Sequence, residues 1–154
     1  MGELSLRRAA GALGAFVGGV GLADVAASDQ LYAQVRHALN EYEVLFFRDQ
    51  DTAPKVFAKF AKRFGDVLDH PAYATTAQSD AVQILESTAE NPSKIEIWHS
   101  DMTFMQQPPS FTLLQGQIIP EVGGDTLWAS ATAAFASLSK EIQDLLTPLT
   151  AVHD

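Results

Sequence analysis

A histidine and an aspartate two residues apart, set in the apolar surroundings of Trp98-His99-Ser100-Asp101, constrain this chain more than any other feature. In an extended strand, residues i and i+2 project to one face. His99 and Asp101 would then present an imidazole and a carboxylate side by side while Ser100 faces away. One imidazole and one carboxylate make two-thirds of a metal site. A second histidine from elsewhere would complete the facial triad of non-haem Fe(II) centres, which leaves three positions open for substrate and oxygen. The same three residue types also occur at the solvated end of a strand, so spacing alone leaves both readings open.

With no cysteine anywhere, a thiolate ligand is excluded and any metal must be held by histidine and carboxylate. The lack of disulfides is compatible with a cytoplasmic enzyme. A length of 154 residues fits one domain with a sizeable core, and 47% hydrophobic against 19% charged residues is the balance of a globular chain. Ten Lys and Arg against nineteen Asp and Glu give a net charge of −9, which disfavours nucleic acid and anionic membrane as partners. Arg7-Arg8 and the apolar, Gly-rich stretch behind it have the outline of a twin-arginine signal. Five glycines from Gly11 to Gly21 would weaken a helical apolar core there, and residues 15–20 read better as a strand. No run reaches the roughly 18 to 20 apolar residues that span a bilayer.

In chain order, Ser28 can cap a helix with Leu31, Val35, Ala38 and Leu39 on one face, ending near Asn40. Residues 43–47 read as a strand. Thr52 is a second possible cap, with Pro54 in the first turn, Val56, Phe57, Phe60, Ala61 and Phe64 as core positions, and Gly65 at the C-terminal end. Pro71 pushes His70 towards an extended, irregular segment. Strands are expected over 81–86, 95–101, 111–119 and 125–129, the last two joined by a tight turn at Gly123-Gly124. Two short helices follow. The second is capped by Ser139, turns Ile142, Leu145 and Leu146 inward, and stops before Pro148. Many strands, one of them bearing His-x-Asp, suggest a double-stranded β-helix, a jelly roll whose mouth holds a metal.

Several separate motifs then fall in one order. Trp98-His99-Ser100-Asp101-Met102-Thr103-Phe104, Pro108-Pro109 and Gly123-Gly124-Asp125-Thr126-Leu127-Trp128 closely resemble the taurine dioxygenase family of Fe(II)- and 2-oxoglutarate-dependent oxygenases. Val44-Leu45-Phe46-Phe47-Arg48-Asp49-Gln50, Arg63-Phe64-Gly65 and the ending Leu149-Thr150-Ala151-Val152-His153-Asp154 extend the likeness along nearly the whole chain. The resemblance implies an α+β, mainly β domain over 1–154, a clavaminate synthase-like jelly roll incomplete at its C-terminus. It implies Fe(II) as cofactor, 2-oxoglutarate as co-substrate, O2 and a small anionic substrate as partners, a cytoplasmic location, and a homo-oligomer at full length.

By the same resemblance, His99 and Asp101 match the first two iron ligands, and Thr126 matches the hydroxyl that binds the 2-oxoglutarate carboxylate. His70 and Tyr73 lie where sulfonate-oxidising members contact the substrate's anionic head, and Met102 falls at the pocket wall. Apart from the family context, Thr126 is a β-branched strand residue and His70 and Tyr73 belong to a surface loop. Two departures matter. Ile95 stands where taurine-using members carry an asparagine, which widens the expected substrates to sulfonates, sulfate esters and aryloxy or other carboxylates. The family's distal histidine and its 2-oxoglutarate-binding arginine belong to a C-terminal portion this sequence does not contain, so the chain reads as the N-terminal half of an oxygenase. His153 completing a compact triad is one alternative, and a non-catalytic jelly-roll binding protein is another.

Overall fold

The computed structural model describes every residue except Met1, Asp51, Pro71, Ala72, Ser93, Lys94, Glu96 and Asp154. Its organising layer is a three-stranded sheet in the order β1 (Ser5–Arg8), β2 (Ala15–Gly18), β3 (Leu45–Phe47). The β1–β2 pair is antiparallel and the β2–β3 pair is parallel. Parallel neighbours cannot be joined by a tight turn, and the crossover is made by α1 (Leu22–Ala27) and α2 (Asp29–Tyr42). Gly19, which follows β2, has φ +79, and a Cβ there would stand 2.0 Å from the Glu3 carbonyl oxygen, so only glycine fits the close approach of the two backbones.

The expected first helix forms as α2. Ser28 Oγ accepts from the Leu31 N–H at 3.3 Å, and Leu31, Val35 and Ala38 are the buried positions. Alternation in β2 buries Ala15 and Val17 and turns Phe16 to the other side of the sheet. Val17, Val20, Leu22, Val25, Ala26, Leu31, Val35 and Phe60 make one core, with Phe60 supplied by α3 (Pro54–Ala61). Aromatic edge contacts extend it: Phe47 to Phe60 at 5.8 Å between ring centroids, Phe60 to Phe64 at 5.1 Å, and Phe64 to Tyr32 at 5.3 Å. The side chain of Thr52 does not cap α3, whose N-cap is Ala53; its hydroxyl accepts instead from Gln115 Nε2 at 3.0 Å. Arg7 and Arg8 belong to β1, where the Arg7 guanidinium lies 4.5 Å from the Phe16 ring centroid and Arg8 lies 5.1 Å from that of Tyr42.

Beyond α3 the mainly β expectation holds only in part. The strand expected over 81–86 forms in part and earlier, as β5 (Ser79–Gln83), which pairs antiparallel with β4 (Thr75–Thr76) in a two-stranded ribbon. Residues 95–101, 111–119 and 125–129 are not strands among the described residues, and Glu96 lies outside them. Gly123 and Gly124 do take positive φ, +80 and +72, but no strand pair flanks their turn. The cause is pairing. A β-prone segment becomes a strand only when a neighbour accepts its backbone hydrogen bonds, and here the sheets end at β1, β3 and the small ribbon. More of the described residues therefore lie in helices than in strands, and no barrel closes. The two expected short helices form as α4 (Ala131–Ala136) and α5 (Lys140–Leu146), with Ser130 and Ser139 as caps. Ile142, Leu145 and Leu146 do not face inward as expected; all three are exposed, because nothing among the described residues covers that side of α5.

Residues 111–115 follow an extended path along the first layer. Phe111 stacks on Phe64 at 5.5 Å and lies under the Arg36 guanidinium at 4.5 Å, and Leu113 packs against the core. Gln115 Nε2 donates to the Gln50 and Thr52 carbonyls, both at 3.2 Å. Odd positions are thus tied to the first layer while Thr112 and Leu114 point outwards.

Candidate active site

His99 and Asp101 come together, though not on the strand expected over 95–101. His99 Nε2 stands 3.2 Å from Asp101 Oδ1, and both side chains are about half-exposed. The pair sits on irregular backbone that enters a turn at Asp101, where the Met105 N–H bonds to the Met102 carbonyl at 3.0 Å. Met102 has φ +53, left-handed backbone that a side chain adopts only at a cost of order 1–3 kcal/mol, and it is half-buried directly after the carboxylate.

Each remaining side-chain polar atom of the pair has a partner. His99 Nδ1 lies 2.8 Å from the Ile97 carbonyl oxygen, and Thr112 Oγ1 donates to Asp101 Oδ2 at 2.7 Å. A carbonyl can only accept, so Nδ1 carries a proton, and a neutral imidazole then directs its Nε2 lone pair at the carboxylate. Two lone pairs facing each other at 3.2 Å repel unless a cation lies at Nε2. That cation is either a proton or a metal. The first possibility shows as a His99 pKa raised above the usual histidine value, through the Ile97 carbonyl first and the Asp101 carboxylate after it. The second is the donor chemistry of a metal ligand: histidine metal ligands commonly give the other ring N–H to a backbone carbonyl, as His99 does. Among the described residues no group of three His, Asp or Glu side chains converges, so the pair supplies two donors. His153 comes to the same turn, with Nδ1 2.8 Å from Thr103 Oγ1, without joining such a group.

His70 and Tyr73 stack on each other at 4.6 Å between ring centroids. Gln83 on β5 holds their backbone. Its Oε1 accepts the His70 N–H at 2.8 Å, and its Nε2 donates to the His70 and Tyr73 carbonyls at 2.8 and 3.0 Å. Thr126 lies elsewhere, in an open apolar groove of about 550 Å³ between the outer side of the sheet and the segment leading into α4, lined also by Phe16, Phe46, Leu127 and Trp128. Neither His99 nor Asp101 lines that groove, so the structure does not bring Thr126 into one concavity with the pair. Sequence reasoning missed Thr112 and Gln83, whose roles depend on bonds across 11 and 13 residues that no local pattern signals.

Residues 5–154 match the family described as taurine catabolism dioxygenase TauD, TfdA family. An alkylsulfatase of Acinetobacter baylyi is 35% identical over 98% of this chain and 47% of its own length. An alpha-ketoglutarate-dependent sulfate ester dioxygenase of Pseudomonas putida is 32% identical over 98% of the chain and 50% of its own length. Among solved structures, a putative alpha-ketoglutarate-dependent taurine dioxygenase from Burkholderia xenovorans superposes with a TM-score of 0.75 at 25% identity, over 95% of this chain and 52% of that one. The chain spans about half the length of the curated relatives it matches.

Proposed function

The chain belongs to the taurine catabolism dioxygenase TauD, TfdA family, and on that premise we propose that it carries the first two metal ligands of an Fe(II)- and 2-oxoglutarate-dependent dioxygenase acting on a small anionic substrate. The observation that carries this reading is the convergence of His99 Nε2 and Asp101 Oδ1 at 3.2 Å, with the Ile97 carbonyl fixing the tautomer that leaves Nε2 free to ligate. Fe(II) with 2-oxoglutarate supplies activation of O2 for oxidation of a substrate C–H bond. The protein's own residues bind, orient and exclude water. Asp101 and His99 contribute one negative charge between them, which leaves a divalent ion positive enough to attract an anionic keto acid. Thr126 is assigned the hydroxyl that donates to the 2-oxoglutarate carboxylate, His70 and Tyr73 the anionic head of the substrate, and Met102 the pocket wall. In this proposal the family's distal histidine and arginine come from residues beyond those given, together with the strands that cover residues 111–129 and bring Thr126 to the iron. The whole protein is a cytoplasmic homo-oligomer.

The relatives' names support sulfate esters, sulfonates or phenoxy acids as the substrate class. Ile95 argues against taurine, because an apolar side chain leaves a polar substrate group without a partner, at about 1–3 kcal/mol or roughly five- to 150-fold in affinity. The test is conversion of 2-oxoglutarate to succinate by the intact protein, driven in parallel by an alkyl sulfate and by taurine. Succinate forms with the alkyl sulfate, forms poorly with taurine, and is lost in His99→Ala and Asp101→Ala. Undiminished turnover in His99→Ala removes the metal assignment. Anion binding with no succinate formed leaves a non-catalytic binding protein.

A further inference from the structure

We propose that Thr112 is a positioning residue for the metal site, holding the Asp101 carboxylate so that one defined oxygen is presented beside His99; this rests on the metal reading above. The two carboxylate oxygens of Asp101 have different surroundings. Oδ2 accepts the Thr112 hydroxyl at 2.7 Å, and Oδ1 is left facing His99 Nε2 at 3.2 Å. An aspartate on irregular backbone in solvent would otherwise rotate about its terminal bond and exchange its oxygens. The hydroxyl fixes which oxygen faces the metal position and removes the other from competition, which favours one-oxygen ligation through Oδ1.

Thr112 can do this because its own backbone is braced. Phe111 is held between Phe64 and Arg36, Leu113 packs on the core, and Gln115 is bonded to the Gln50 and Thr52 carbonyls. Anchors on both sides of position 112 lock the extended segment to the first layer and leave the Thr112 side chain to project the opposite way. The route from core to carboxylate therefore runs through one hydroxyl, across a separation of 11 residues. Thr112 touches neither substrate nor reacting atoms. Its effect is on the geometry and affinity of the ligand it holds, as hydrogen-bond partners of metal ligands generally act.

The experiment is a titration of the metal-free intact protein with Mn(II), which takes the same nitrogen and oxygen donors, followed by electron paramagnetic resonance. Thr112→Val, which keeps the shape and removes the hydroxyl, weakens Mn(II) binding by about tenfold and broadens the Mn(II) spectrum. Thr112→Ser, which keeps the hydroxyl, stays within about threefold of the parent and restores the parent line shape. Thermal unfolding of the metal-free variants is followed alongside, and because the position is exposed, their midpoints match the parent. Equal Mn(II) affinity and spectrum for the Val and Ser variants, in a parent that binds Mn(II) and loses it in His99→Ala, overturns the role of Thr112 alone. A parent that takes up no Mn(II), or a His99→Ala variant that binds it as well as the parent, overturns the metal reading and the role of Thr112 with it.

Discussion

Every buried apolar side chain among the described residues lies between Ala15 and Phe60, whereas Ile97, Trp98, Ile118, Ile119, Val122 and Val152 stand in solvent. Both regions are rich in apolar side chains, so composition does not separate them. Partners do. In the first region a sheet face meets α1, α2 and α3, and each apolar stripe finds another. In the second, nothing among the described residues covers these apolar side chains. Among the described residues, Phe111, Leu113, Gln115 and the Ser130 hydroxyl, which donates to Glu43 Oε1 at 2.8 Å, fasten that region to the first. The candidate site lies on this second region. His99 and Asp101 are thus brought together locally, while the rigidity that a metal site would need reaches them through those fastenings.

The contrast predicts unequal costs for similar truncations. Phe60→Ala, at a residue 5% exposed, lowers unfolding free energy by about 3–5 kcal/mol in a urea titration, and Ile118→Ala, at a residue 93% exposed, changes it by less than about 0.5 kcal/mol. Comparable losses at both positions would break the distinction between the regions. The fastenings rank next. Ser130→Ala removes the cap of α4, whose Ala133 N–H bonds to Ser130 Oγ at 2.9 Å, along with the bond to Glu43, and costs about 1–2 kcal/mol. Faster amide exchange through α4, with α2 unchanged, is the signature to look for. No loss of α4 protection would mean that the region is held by something other than Ser130.

How much of this was legible in the sequence follows the same line. The helix α2 was readable because its signals are local: Ser28 as cap and Leu31, Val35 and Ala38 at helical spacing. His99 and Asp101 were readable as a pair from their two-residue spacing, although the strand expected to align them does not form. Strand β1 was missed because Arg7-Arg8 reads as charge, and only the Phe16 and Tyr42 rings explain those guanidiniums in a sheet. Helix α1 was missed because six residues of Leu, Ala, Asp and Val carry little period; its start is set by Asp24 Oδ2 accepting the Gly21 N–H and by Gln50 Oε1 accepting the Leu22 N–H. The strands expected at 111–119 and 125–129 were read from β-prone composition, which states what a segment would pair with but cannot supply the pair. The holds on Asp101 and on the 70–73 backbone were invisible because Thr112 and Gln83 are ordinary polar residues until the chain brings them home.

Acidity gives the smallest effect. The pKa of His99 is raised in the folded protein, first by the Ile97 carbonyl and then by Asp101, so the charged form is favoured by folding. Its contribution to stability is complete below the usual histidine value of 6.5 and is lost as pH rises through the raised folded value. Solvent screens the half-exposed pair, so the change is slight and is best read as a His99 imidazole titration by NMR that moves part of the way back towards the usual value in Asp101→Asn, the Ile97 carbonyl still holding it up. An unshifted midpoint in that variant would mean the carboxylate does not act on the ring.

The division of the molecule is tested most directly by residue-resolved amide hydrogen exchange. Amides of Val25, Val35 and Phe60 should exchange only through global unfolding, while those of Ile118, Ile119 and Val122 exchange at rates near those of an unstructured peptide, with Leu113 intermediate where the segment is fastened to the core. Uniform protection across both groups would contradict the account, because residues 111–129 would then be braced as firmly as the core and the site on them would need no cover from elsewhere.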